Sequence, residues 1–181
     1  MFYEAQASGR AVALFERLAR VPSPPIAIRI AFHSAWVAQG LSLREDFGID
    51  EALPATLANF MPGYSGPPIE VFRGERWSNY QSGRYGPSWS TKESVGRMFA
   101  SRLSPETTSV LLRTIAPPHA ILVSYTEHPG HIRSEYEVIV DRRFLGHIDV
   151  IERFPPELPG KCSPGCSPNE KTAHFGGFLF Q

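Results

Sequence analysis

The run Pro62-Gly63-Tyr64-Ser65-Gly66-Pro67-Pro68 divides the chain into two textures, because residues that fix or free the backbone so densely cannot lie inside a helix or a strand. Before it, Ala11, Leu14, Phe15 and Leu18 recur at the spacing of one helix face. Pro22, Pro24 and Pro25 then interrupt the chain, and a mostly apolar segment over 26–39 reads as a second helix stopping at Gly40. A short helix is expected over 51–60, with Pro54 in its first turn. After the run, short β-branched and apolar stretches dominate, at 69–72, 109–115, 120–125, 136–140 and 147–151. One helix over 91–103 interrupts them; Ser90 with Glu93 three residues on reads as a capping box. Helices first and strands afterwards make an α+β pattern.

The 181 residues suffice for one domain with a sizeable core. A formal net charge of zero argues against a broad electrostatic partner such as duplex nucleic acid or an anionic membrane, which need a basic excess. It leaves room for a locally basic cleft holding a phosphate. The start of the chain lacks a basic segment followed by an apolar run, and no stretch approaches ~18 consecutive apolar residues. A cytoplasmic address is the expectation. Both cysteines, Cys162 and Cys166, fall in a Pro/Gly-rich tail. With His174 their spacing is looser than a zinc knuckle and lacks a fourth ligand, so no metal is expected. No phosphate-cradling glycine loop and no nucleophile elbow is present.

Three short elements carry the chemistry. Val71-Phe72-Arg73-Gly74-Glu75 ends an apolar strand with a cation. Read alone, Arg73 is solvated or pairs with Glu75. Its planar fork of donors also suits phosphate oxygens, and Gly74 allows close approach to the backbone. The second element, Gly86-Pro87-Ser88-Trp89-Ser90-Thr91, is a serine-rich strand edge leading into the helix that Ser90 caps. On that helix Phe99, with Val95 and Met98, reads as core or as a stacking ring. The third, Ser134-Glu135-Tyr136-Glu137-Val138-Ile139-Val140, sets Glu135 and Glu137 on one side of an extended segment. Two acids on one side of an apolar strand are costly unless exposed or paired.

Taken in order, these elements resemble the arginine–serine–glutamate signature of the ADP-ribosyltransferases, of bacterial or phage type, which transfer ADP-ribose from NAD. The resemblance spans 69–154. It implies a mixed core of two small packed sheets around an NAD cleft at 66–160, a helical region at 1–65, and a tail at 161–181. It assigns Arg73, Gly74, Ser88, Ser90 and Phe99 to NAD, with Gly74 presenting its backbone to the nicotinamide amide and Phe99 stacking on the ring. Ser88 would brace the catalytic Glu137. Glu135 would steer transfer toward arginine, and Tyr125, in the polar segment before the glutamates, would contact the target. The family's serine motif commonly reads Ser-Thr-Ser, whereas Trp89 stands in the middle here. NAD is then a consumed substrate, the acceptor a protein, and nucleic acid a less favoured one. An inhibitory partner, as toxin-like members have, is left unspecified. The alternatives are an NAD glycohydrolase, a non-catalytic module that binds NAD or a partner, and an unrelated α+β binding domain in which the three motifs coincide by chance.

Overall fold

The computed structural model describes residue 4 and residues 8–47, 52–103, 107–126 and 136–156, with the backbone alone over 37–47. The element order is α1 (Ala11–Ala19), α2 (Ile26–Phe47), α3 (Leu53–Phe60), β1 (Ile69–Arg76), α4 (Trp77–Gln81), β2 (Ser88–Ser90), α5 (Glu93–Leu103), β3 (Ser109–Ala116), β4 (Ile121–Val123), β5 (Glu137–Val140) and β6 (Asp149–Phe154). Short 3-10 turns at Pro118–Ala120 and Arg142–Phe144 complete it.

The α+β pattern holds. The strands form one six-stranded sheet in the order β4-β5-β2-β1-β3-β6, and every recorded pairing is antiparallel. Among the described residues this is one continuous sheet, not two packed ones. Its narrowest step lies at the centre, where β1 and β2 are paired at Phe72↔Ser90 alone. On either side of that step the ladders are longer: β1 runs against β3 from Ile69↔Ala116 to Arg76↔Ser109, and β2 runs against β5 over its full length. The sheet is thus two three-stranded halves joined at one point.

Each face has its own apolar cluster. Side chains alternate along a strand and match directly across an antiparallel ladder. By that rule Phe72, Gly74, Ser88, Ser90, Leu111, Arg113, Glu137 and Ile139 share one face. Val71, Arg73, Glu75, Trp89, Leu112, Val138 and Val140 share the other. On the first face, α1, α2 and α3 pack Phe15, Phe32, Trp36, Leu57 and Phe60 against Leu122, Val123 and Ile139. Polar bonds fix these helices to one another. Asn59 donates to the Ala19 carbonyl at the end of α1 (2.7 Å), and Thr56 to the Phe15 carbonyl (2.9 Å). The second face buries Trp89 with Val71, Val110, Leu112, Val138 and Val140 beneath Tyr64, Trp77, Tyr80, Tyr85 and Leu145.

The other half of the first face is covered by α5, and two glycines set how closely. A Cβ added at Gly74 would lie 2.1 Å from the Ala100 nitrogen and 2.6 Å from the Gly96 carbonyl oxygen. One added at Gly96 would lie 2.9 Å from a Leu111 methyl and 3.0 Å from the Phe72 Cβ. Backbone therefore rests on backbone, which only glycine permits. Ser109 donates to the Ala100 carbonyl (2.6 Å) and holds the helix from the other side.

Several boundaries differ from expectation, and two helix ends have a clear cause. α2 runs through Gly40 to Phe47, since one glycine weakens a helix by about 1 kcal/mol and does not by itself stop it. α5 begins at Glu93, not at 91, because Ser90 accepts from the Lys92 N–H (3.0 Å) and closes a turn ahead of the helix. The 161–181 tail, with Cys162, Cys166 and His174, lies outside the described residues. Among the described residues no helix is long and apolar enough to cross a membrane.

Gly74→Ala is expected to cost about 2–3 kcal/mol of stability by denaturant unfolding, because a methyl there meets fixed backbone. Gly96→Ala should cost less, since the Leu111 methyl can move. Equal losses at the two positions would contradict this seating of α5.

Candidate functional site

Three elements far apart in sequence meet on three adjacent strands. Phe72 of β1 pairs with Ser90 of β2, and Ser90 pairs with Glu137 of β5. Hydrogen-bond direction follows from the strand ends. The Thr91 N–H donates to the Tyr136 carbonyl (3.1 Å) and the Val140 N–H to the Pro87 carbonyl (2.9 Å). Trp89 therefore turns its backbone groups toward β5, whereas Ser88 and Ser90 turn theirs toward β1. Ser90↔Glu137 is consequently a non-hydrogen-bonded pair, the kind whose side chains approach most closely, with Cβ atoms roughly 4.5–5.5 Å apart. Ser88 is the diagonal neighbour of Glu137, and it is Ser90 that stands directly opposite. Glu137 is half-buried.

The same counting applies to β1. The Trp77 N–H donates to the Thr108 carbonyl (2.9 Å), extending the β1–β3 ladder. By alternation Arg73 and Glu75 turn their backbone groups toward β3, and Phe72 and Gly74 turn theirs toward β2. The Gly74 amide and carbonyl thus point at the central step where the strands part. Gly74 has two duties here: its missing side chain seats α5, and its backbone faces the split.

Arg73 leaves β1 on the face opposite Ser90 and Glu137. Its guanidinium nevertheless returns to the split, where Nη1 donates to the Ser88 carbonyl and Nε to Glu75 Oε2 (2.9 Å). The side chain is 13% exposed. Of the five N–H donors of a guanidinium, these two bonds are the ones recorded among the described residues. Arg73 thus contacts the serine element directly, and Glu137 lies on the other side of the sheet. Its pairing with Glu75 is real, and donors remain beyond that pairing.

Glu75 is the residue that the sequence motifs pass over. It is buried, and its carboxylate also accepts from the Gly86 N–H (3.0 Å), the Arg76 N–H (3.0 Å) and Asn79 Nδ2 (2.9 Å). An acidic residue two places after Arg73 was its only signal in the sequence. Trp89, between the two serines in sequence, lies on the opposite face from them. There it is buried, and its indole donates to the Gly86 carbonyl (3.1 Å). Trp89 therefore fills the second core and takes no part in the serine face.

Phe99 lies on α5 with its main chain against Gly74 and the Arg102 guanidinium 5.8 Å from its ring centroid. It is half-buried, which places it at the edge of the core. Tyr125 follows β4, and its ring centroid is 5.6 Å from that of Tyr136. The Lys92 ammonium stands 4.9 Å over Tyr136. Tyr136 has φ +50°, an uncommon conformation for a bulky residue. The segment around the glutamates is therefore not extended at Tyr136, and the alternation that set Glu135 beside Glu137 does not carry across it. Glu135 itself lies outside the described residues, as do 127–134.

A second polar groove of about 430 Å³ is lined by Glu70, Arg113, Thr114, Ile115, His147 and Asp149. Arg113 donates to Asp149 (3.0 Å) and holds its carboxyl below the usual carboxylate range. No group of three or more metal-ligating side chains occurs among the described residues.

Comparison of the chain with family models, curated proteins and solved structures returns no match in any of the three.

Ser90→Ala is expected to lower stability by about 1 kcal/mol through loss of the turn that launches α5. Thermal and denaturant unfolding test this. A loss under about 0.3 kcal/mol would mean that the hydroxyl does not support the helix.

Proposed function

We propose that the protein is a mono-ADP-ribosyltransferase that cleaves NAD and transfers ADP-ribose to an acceptor, with a protein arginine favoured by Glu135. The observation that carries this reading is the juxtaposition Phe72–Ser90–Glu137, which draws the arginine, serine and glutamate elements onto neighbouring strands. Consecutive strands such as β1 and β2 are commonly neighbours, so the weight falls on the β2–β5 pairing, which passes over two intervening strands of the chain.

The chemistry needs few groups. Cleavage breaks the bond between C1′ of the ribose and the pyridinium nitrogen. The electron pair leaves with nicotinamide, which departs neutral, and positive charge develops on the ribose. A carboxylate beside that carbon stabilises the charge, and Glu137 is the acid we assign. Its half-buried position strengthens the effect, since water screens it less. The acceptor nitrogen then bonds to C1′ and loses a proton, for which a second carboxylate, Glu135, is the assigned base. Gly74 offers backbone donor and acceptor to a planar carboxamide at the split. The remaining Arg73 donors suit the diphosphate. The NAD cleft would be the central split between the two three-stranded halves.

The test is incubation with labelled NAD and a cell lysate, beside Glu137→Gln. Wild type is expected to release nicotinamide and label protein, and the variant to lose roughly 10²–10³-fold in rate. Nicotinamide release without label would favour a glycohydrolase. Absence of turnover in both proteins would overturn the enzyme reading.

A further inference from the structure

We infer that Glu75 is a positioning residue for NAD binding, acting through Arg73 and the chain at Gly86; this rests on the transferase reading above. Its carboxylate is 3% exposed, so it meets no substrate. A buried charge persists only when paired and hydrogen-bonded, and this one is served from both banks of the central split. Arg73 and Arg76 donate from β1, and Asn79 donates from α4. The Gly86 N–H donates from the segment leading into β2. One oxygen, Oε2, takes both the Arg73 Nε–H and the Gly86 N–H.

That shared oxygen ties two things together. It locks the guanidinium through Nε, so the long side chain stays at the split in one orientation. It also anchors the chain just ahead of Ser88, whose carbonyl accepts from the same guanidinium. Arg73, Ser88 and Gly86 form a closed circuit with Glu75 at its hub. Where β1 and β2 part, this circuit holds the two halves of the sheet in register.

Two effects oppose each other when Glu75 becomes Gln. The site loses a negative charge that competes with a phosphate for Arg73, which would tighten NAD binding. It also loses one of two acceptor oxygens, and with it the acceptor for two of the four donors whichever way the amide turns, because an amide presents one oxygen and one N–H₂. Fixed geometry decides the matter here, since a guanidinium binds phosphate through its planar fork and its benefit depends on orientation.

The experiment is steady-state NAD cleavage by the full chain for wild type, Glu75→Gln, Arg73→Ala and the double variant, with folding checked by thermal unfolding. Glu75→Gln is expected to raise KM for NAD about tenfold while kcat stays within about threefold, because binding before the chemical step is what is lost. The double variant should show no higher KM than Arg73→Ala alone, since both changes break one circuit. If Glu75→Gln does not fold, Asn79→Ala removes one support of the same carboxylate from outside, and KM should rise about two- to fourfold. An unchanged or lowered KM, or additive effects of the two substitutions, would overturn the positioning role while leaving the transferase reading intact. A wild type that neither binds nor cleaves NAD would overturn both.

Discussion

Gly74 and Gly96 let the main chain of α5 lie directly on the main chain of β1. Helices usually stand off from a sheet by the thickness of their side chains; here that thickness is absent at one point. The start of α5 is thereby pulled down beside the end of β2, and the turn at Ser90 has to be tight. On the second face Trp89 and its neighbours fill the complementary space. The site residues therefore owe their placement less to their own chemistry than to two residues that have no side chain at all.

The central step divides labour between backbone and side chain. Over most of the sheet, ladder bonds set the register at modest net energy per bond. At the step, one strand pair is supplemented by the Arg73–Glu75 circuit, which is charged and sheltered. Such a join is strong while complete and weak once any member is lost, since the remaining buried charge has no compensation. A ligand that engages Arg73 or Gly74 would act at the join between the two halves.

Local pattern made much of this fold readable. The spacing of Ala11, Leu14, Phe15 and Leu18 became α1, and Pro54 took its place in the first turn of α3. The strand-rich texture after Pro68 became the sheet, with shifts of a few residues at the ends of its strands. What could not be read depends on partners distant in sequence. The single sheet arises because β2 bonds to β1 and β5 together, a fact absent from any window of residues. Gly74 looked like a ligand-facing glycine, and its contact with α5 could be known only once the helix was in place. The alternation across Glu135-Tyr136-Glu137 assumed an extended chain, and the positive φ of Tyr136 breaks that assumption. The adjacency of the arginine, serine and glutamate elements was legible as order along the chain, but the opposed faces of Arg73 and Glu137 were not.

Glu137 is firmly held on its C-terminal side. Val138, Ile139 and Val140 are buried, β2 pairs with all of β5, and the Val140 N–H is bonded to the Pro87 carbonyl. Ahead of Glu137, Tyr136 turns sharply away through a left-handed backbone. The Tyr136 carbonyl nonetheless accepts from the Thr91 N–H, so the turn into α5 and the strand that follows grip the acid from both sides.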